Sequence, residues 1–137
     1  MWRAEKGFAR KASRMLRPPI GMLGVPAIQK LAREITSWTN KDCYRHMVAY
    51  AGPTPPLIPV DLSHNDGLRF QQARVLRDLG KKYGREEWLK AAGLFSESGE
   101  VIIRLCERAL VYDGKACSEL LDRLASIEEK AYHILMR

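Results

Sequence analysis

All seven prolines of this 137-residue chain fall in two clusters: Pro18, Pro19 and Pro26, then Pro53, Pro55, Pro56 and Pro59. Proline fixes φ and lacks an N–H, so it stops helices and cannot serve in a central strand. The clusters divide the chain, and from Val60 to Arg137 no proline interrupts a helix. The expected fold class is all-α: a small helical bundle with a C-terminal antiparallel helix hairpin, plus an extended basic N-terminal arm and a proline-rich strap. The expected parts are a basic amphipathic arm and Pro/Gly linker over 1–26, short helices over 27–51, the strap over 52–64 and a helical core over 65–137.

Within residues 1–17, Phe8, Ala9, Ala12, Met15 and Leu16 recur at helical spacing, while Arg3, Lys6, Arg10, Arg14 and Arg17 take another face. Pro26 suits the first position of a helix whose stripe is Ile28, Leu31, Ile35 and Trp38. Asn40 is placed to cap a helix over 41–51 that Gly52 ends. "GPTPPLIPVDLSH" is too rich in proline for regular hydrogen bonding and reads as a polyproline-like strap. Beyond it, Leu68, Val75, Leu76, Leu79 and Tyr83 mark one side of a helix with Gly84 as its C-cap. "REEWLKAAG" reads as a short helix ended by Gly93, and Ile102, Leu105, Cys106, Ala109 and Tyr112 line a further one before an Asp113-Gly114 turn. In the last helix Cys117, Leu120, Leu124, Ile127, Ala131 and Ile134 alternate steps of three and four, with Leu121 and Leu135 widening the stripe. So short a connection makes the last two helices antiparallel neighbours.

Charge is unevenly placed. The chain has 23 Lys+Arg against 16 Asp+Glu, a net +7, and six of those cations but only Glu5 among the acids lie in residues 1–17. An Arg-rich, amphipathic, nearly acid-free head resembles a mitochondrial targeting segment. It equally suits an arm held by protein, anionic lipid or RNA. Because a body this small offers little surface for head and strap, both are expected to attach to a larger partner. The expected contact residues are Trp2, Arg3, Lys6, Phe8, Arg10, Lys11, Arg14, Arg17, Trp38, Leu57 and Ile58.

Reaction chemistry is sparse. Cys43, Cys106 and Cys117 are an odd set at no ligand-like spacing, so neither a disulfide framework nor a zinc site follows, and buried free thiols are expected. Cys43 and His46 lie three apart, but two ligands do not make a metal site, and His64 and His133 are distant in sequence. "SHNDG" reads as helix-start and turn chemistry. Glu86-Glu87, Glu97/Glu100 and Glu128-Glu129 are too commonplace to read as an acid/base pair. There is no dinucleotide fingerprint, phosphate loop or nucleophile elbow. No cofactor, metal or small-molecule substrate is expected, and the chain is not expected to be an enzyme. No stretch reaches the roughly 18 apolar residues of a membrane span, and the head lacks the apolar block of a secretory signal. The basic run Arg69, Arg74, Arg77, Lys81, Lys82, Arg85 and Lys90 reads as a solvated face, or one turned to an acidic partner, ahead of a track for RNA phosphates.

The stretch "HNDGLRFQQARVLRDLGKKYGREEWLKA" covers about a fifth of the chain. It resembles the central part of the small helical, matrix-facing subunit of respiratory complex III, the ubiquinol-cytochrome c reductase binding-protein family. Asn65, Asp66, Leu79, Arg85, Glu87 and Trp88 are the matching positions. The chain departs from that family in lacking its Leu-Pro before Gly84, in its long hairpin after Gly99 and in its proline strap. The resemblance implies a non-catalytic subunit clamped on a membrane complex by its N-terminal arm. The leading expectation is a non-enzymatic accessory subunit of a mitochondrial respiratory-chain or ATP-synthase complex, on the matrix side or associated with the inner membrane. The alternatives are an RNA-contacting protein of a mitochondrial ribosome and a free-standing helical regulator or enzyme.

Overall fold

Most of the proline-free sequence is helical, the turn-rich stretch 61–68 being the longest exception among the described residues. The computed structural model describes residues 2–16, 24–52 and 61–136, with only the backbone of Trp2, and among these residues there are six α-helices and no strand. They are α1 (Trp2–Leu16), α2 (Gly24–Glu34) continued by a 3-10 turn (Ile35–Ser37), α3 (Lys41–Ala51), α4 (Arg69–Tyr83), α5 (Glu86–Leu110) and α6 (Gly114–Leu135). Arg17, Pro18, Pro19 and the strap residues 53–60, with Leu57 and Ile58, lie outside the described residues.

Local chemistry sets most boundaries. Asn40 Oδ1 accepts the Asp42 N–H at 2.9 Å, so Asn40 caps α3 as its sequence position predicts. Gly84 closes α4 with a left-handed φ of 64°. Pro26 is the third residue of α2 rather than its first, still within the turn whose N–H groups have no helical partner. The α5–α6 connection is built differently from the expected Asp113-Gly114 turn. Tyr112 takes the left-handed position (φ 59°), the Asp113 N–H reaches Arg108 O at 3.1 Å and the Tyr112 N–H reaches Ala109 O at 3.0 Å. This is a Schellman ending on a tyrosine. Asp113 then caps α6 by accepting the Ala116 N–H at 3.0 Å. Gly114 is already helical, and a Cβ there would sit 2.8 Å from Tyr44 Oη.

Two expectations for α4 and α5 are corrected. Leu68 and Val75 do not face the core: they are 64% and 45% exposed, and the buried side of α4 is Ala73, Leu76 and Gly80. Nor does Gly93 end a helix, because α5 runs unbroken through Gly93 and Gly99. A helical glycine costs about 1 kcal/mol, which is small against the burial of Trp88, Ala91, Ala92, Phe95, Val101 and Ile102 along the same helix.

The α5–α6 pair is the spine. Antiparallel pairing places Phe95 against Tyr132 with ring centroids 5.3 Å apart, and Cys117 beside Leu105 near the connection. Two apolar clusters form along it. In one, α2, the 3-10 turn and α3 pack Ala32, Ile35, Tyr44 and Val48 onto the connection end of the spine. In the other, α1 and α4 pack onto its open end around Trp88, Phe95 and Tyr132.

The N-terminal segment is the main departure. Rather than an extended arm awaiting a foreign surface, α1 lies against α6 and α2, with Ala12 fully buried. Phe8 meets Trp88 edge-on at 5.0 Å, and Glu5 pairs with Arg85, whose guanidinium stacks 4.8 Å from the Trp88 ring. The apolar face read from the sequence is therefore satisfied within the molecule.

Candidate functional site

Between the two apolar clusters the spine turns polar. Glu128 of α6 is wholly buried, and Ser98 of α5 donates to its Oε2 at 2.7 Å. Arg69, at the start of α4, donates from Nε to Oε2 at 3.0 Å and from Nη2 to Oε1 at 2.7 Å, while its Nη1 reaches Gly67 O at 2.8 Å. A bidentate, charge-assisted pair of this kind fixes both side chains. Although loss of water alone would lower it, the bonds and charge of Glu128 hold the Arg69 guanidinium above its usual range.

The approach to Arg69 is shaped by two consecutive left-handed residues, Gly67 (φ 60°) and Leu68 (φ 65°). A Cβ on Gly67 would be strained by its φ and would press on Arg69 Nη1 at 3.1 Å and Ile102 Cδ1 at 3.2 Å, so both side chains would have to give. Asp66 Oδ2 accepts the Phe70 N–H at 2.8 Å, and buried Asn65 donates from Nδ2 to Val48 O at 2.8 Å. "SHNDG" thus performs the helix-start chemistry expected of it.

Beside this joint opens a cleft of about 430 Å³, walled by α1 and α4 and floored by Tyr132 and Leu135 of α6. Phe8 and Met15 face it from one side, and Leu68, Val75 and Leu76 from the other. Two cations line it, the Glu128-paired Arg69 and Lys11, whose ammonium is held below the usual lysine range first by loss of water and then by the Arg69 guanidinium, with Glu128 opposing. The Tyr132 hydroxyl is pushed up to about 12 by burial and by the Glu128 carboxylate, so it stays protonated. An apolar cleft with Lys11 and the Glu128-paired Arg69 at its polar end can hold a ligand. Among the described residues that line it, none pairs a nucleophile with a base.

The chain matches no family model, no curated protein and no solved structure.

The residues singled out in the sequence separate into two groups. Arg3, Lys6, Arg10 and Arg14 are exposed along the outer side of α1, with Lys11 at the cleft. Phe8 and Trp38 are instead taken up by the fold, Trp38 meeting the Tyr44 ring at 5.2 Å. Trp2's side chain, Arg17, Leu57 and Ile58 lie outside the described residues. The basic run from Arg69 to Lys90 is also divided. Arg69 belongs to Glu128 and Arg85 to Glu5 and Glu87, whereas Arg74, Lys81, Lys82 and Lys90 are exposed.

Glu128 is the residue that the sequence reading passed over. Its signal was its register: Leu121, Leu124, Ala131 and Leu135 stand seven and four before it and three and seven after it, all on the buried face. Cys106 and Cys117 are buried free thiols, pushed by burial up to about 12 and about 11, and so lack thiolate reactivity. Among the described residues no three His, Cys, Asp or Glu converge on a point, and no helix is long and apolar enough to cross a membrane.

Proposed function

We propose that this protein is a non-enzymatic helical subunit that docks on a larger assembly through the cationic outer face of α1. The observation that carries the proposal is the division of that helix. Ala12 is buried and Phe8 packs on Trp88, while Arg3, Arg10 and Arg14 stay exposed on the opposite side. Apolar anchoring of the head on a foreign surface is no longer required, because α1 has a surface of its own. What is left for a partner is charge, and an acidic protein surface complements it. Glu128, spent on Arg69 and Ser98, and the protonated buried thiols favour a binding role over catalysis. A mitochondrial assembly rests on the Arg-rich amphipathic composition of residues 1–17 and on the complex III resemblance, whose matching Asn65, Asp66 and Trp88 are buried in this chain.

The test is the combined variant Arg3→Glu, Arg10→Glu, Arg14→Glu in tagged full-length chain. The parent is expected to be monomeric and folded when purified, and to migrate with a large assembly on native gels of gently solubilised mitochondria. The variant should keep its circular dichroism and leave the assembly. Co-migration unchanged by the variant would remove α1 from the contact. Release by nuclease, with a steep loss of binding in added salt, would replace the acidic protein with RNA.

A further inference from the structure

We infer that the cleft between α1, α4 and α6 is a binding site for a small amphiphilic monoanion, a carboxylate carried on an aliphatic tail, with Lys11 Nζ taking the head and Phe8, Val75, Leu76 and Leu135 enclosing the tail. The volume, about 430 Å³, is that of a small-molecule site rather than of a packing defect. Two of the large apolar side chains that the fold leaves exposed, Leu68 and Val75, border this one opening, so the molecule presents aliphatic surface to solvent where a tail would cover it.

Charge selects the head group. The Arg69 guanidinium is neutralised by Glu128 through two hydrogen bonds, and its Nη1 is turned to Gly67 O. Lys11, exposed on the cleft wall, is then one positive charge in excess beside a second cation, and its proton affinity is lowered first by partial loss of water and then by the Arg69 charge. A single negative charge balances that excess. A dianion would meet the buried Glu128 carboxylate with half its charge unpaired, and a neutral head would leave the ammonium uncompensated. The strained left-handed backbone at Leu68 falls on the rim of the same cleft and turns an aliphatic side chain outward there. Stored strain of this kind clusters at ligand clamps.

This site is independent of the outer face of α1, and the experiment keeps the two apart. Isothermal titration of the full chain with sodium decanoate, below its micelle-forming concentration, is expected to show saturable one-to-one binding. Decanol, which lacks the charge, and acetate, which lacks the tail, should each bind at least about tenfold more weakly. Lys11→Gln should weaken decanoate by about tenfold and Lys11→Arg should restore it. Val75→Glu should abolish binding, while Arg3→Glu, Arg10→Glu, Arg14→Glu leaves it unchanged. Lys11 and Val75 are exposed, so both variants retain the parent's circular dichroism and melting temperature, which are measured alongside. Absence of saturable decanoate binding overturns the inference. So does equal affinity for decanol, or affinity unaltered by both Lys11→Gln and Val75→Glu.

Discussion

Glu128 ties α4, α5 and α6 together through Arg69 and Ser98. Removing a carboxylate from water is costly, and the pair with Arg69 and the Ser98 hydroxyl repays that cost only while all three are present. Glu128→Gln leaves Arg69, whose side chain is 22% exposed, without its counter-charge. The expected loss is about 3 kcal/mol in urea unfolding, the low end for a broken buried pair because Arg69 retains some water. Arg69→Met, Glu128→Leu and Ser98→Ala combined should recover most of that loss, since an apolar joint of similar volume needs no compensation. A combined variant as unstable as Glu128→Gln alone would show that the pair contributes more than it costs. At this scale the sequence was partly legible. The helical register of α6 places Glu128 on the buried face, but nothing in the linear order links position 128 to Arg69 or Ser98, because that link is made by packing across three helices.

At the scale of elements, the two glycines inside α5 have opposite meanings. Gly93 is solvent-facing with no atom near a would-be Cβ, whereas a Cβ on Gly99 would lie 2.5 Å from Phe70 Cε1. Gly93→Ala is therefore expected to raise stability by about 1 kcal/mol through helix propensity alone. Gly99→Ala should lower it by about 1 to 3 kcal/mol, since the rigid Phe70 ring and α4 must move. Thermal unfolding of the two single variants decides this, and a stabilising Gly99→Ala would contradict the close α4–α5 approach. The sequence marks both residues as breakers and cannot separate them, because the difference is whether another helix comes near. The same limit applied to α4, where Leu68 and Val75 fit an apolar stripe yet face the cleft. Caps were more readable. Asn40 and Gly84 act within a turn of their own position, so local chemistry decides them.

For the whole molecule, the buried weak acids set the alkaline limit. Cys106, Cys117 and Tyr132 have folded-state values of about 12, about 11 and about 12, against unfolded values of 9.0, 9.0 and 10.0. Each is raised on folding, so its contribution is fully present below the unfolded value and is lost as pH climbs toward the folded one. Tyr44 shifts the same way, while Lys11, lowered on folding, opposes them with one proton. Stability should fall steadily above pH 9 with a net slope exceeding one proton, measured by urea unfolding at fixed salt between pH 8 and 11. A rise over that range would mean these groups are hydrated in the folded chain. By itself, the sequence determined the helical class, the amphipathic head and most boundaries, because proline placement, capping residues and apolar periodicity act over one or two turns. Only the tertiary structure decided that the head docks on its own bundle, that Glu128 is buried with Arg69, and that α1 and α4 leave a cleft beside Lys11. Those outcomes depend on which faces meet, and complementary surfaces far apart in sequence leave no periodic trace in either one.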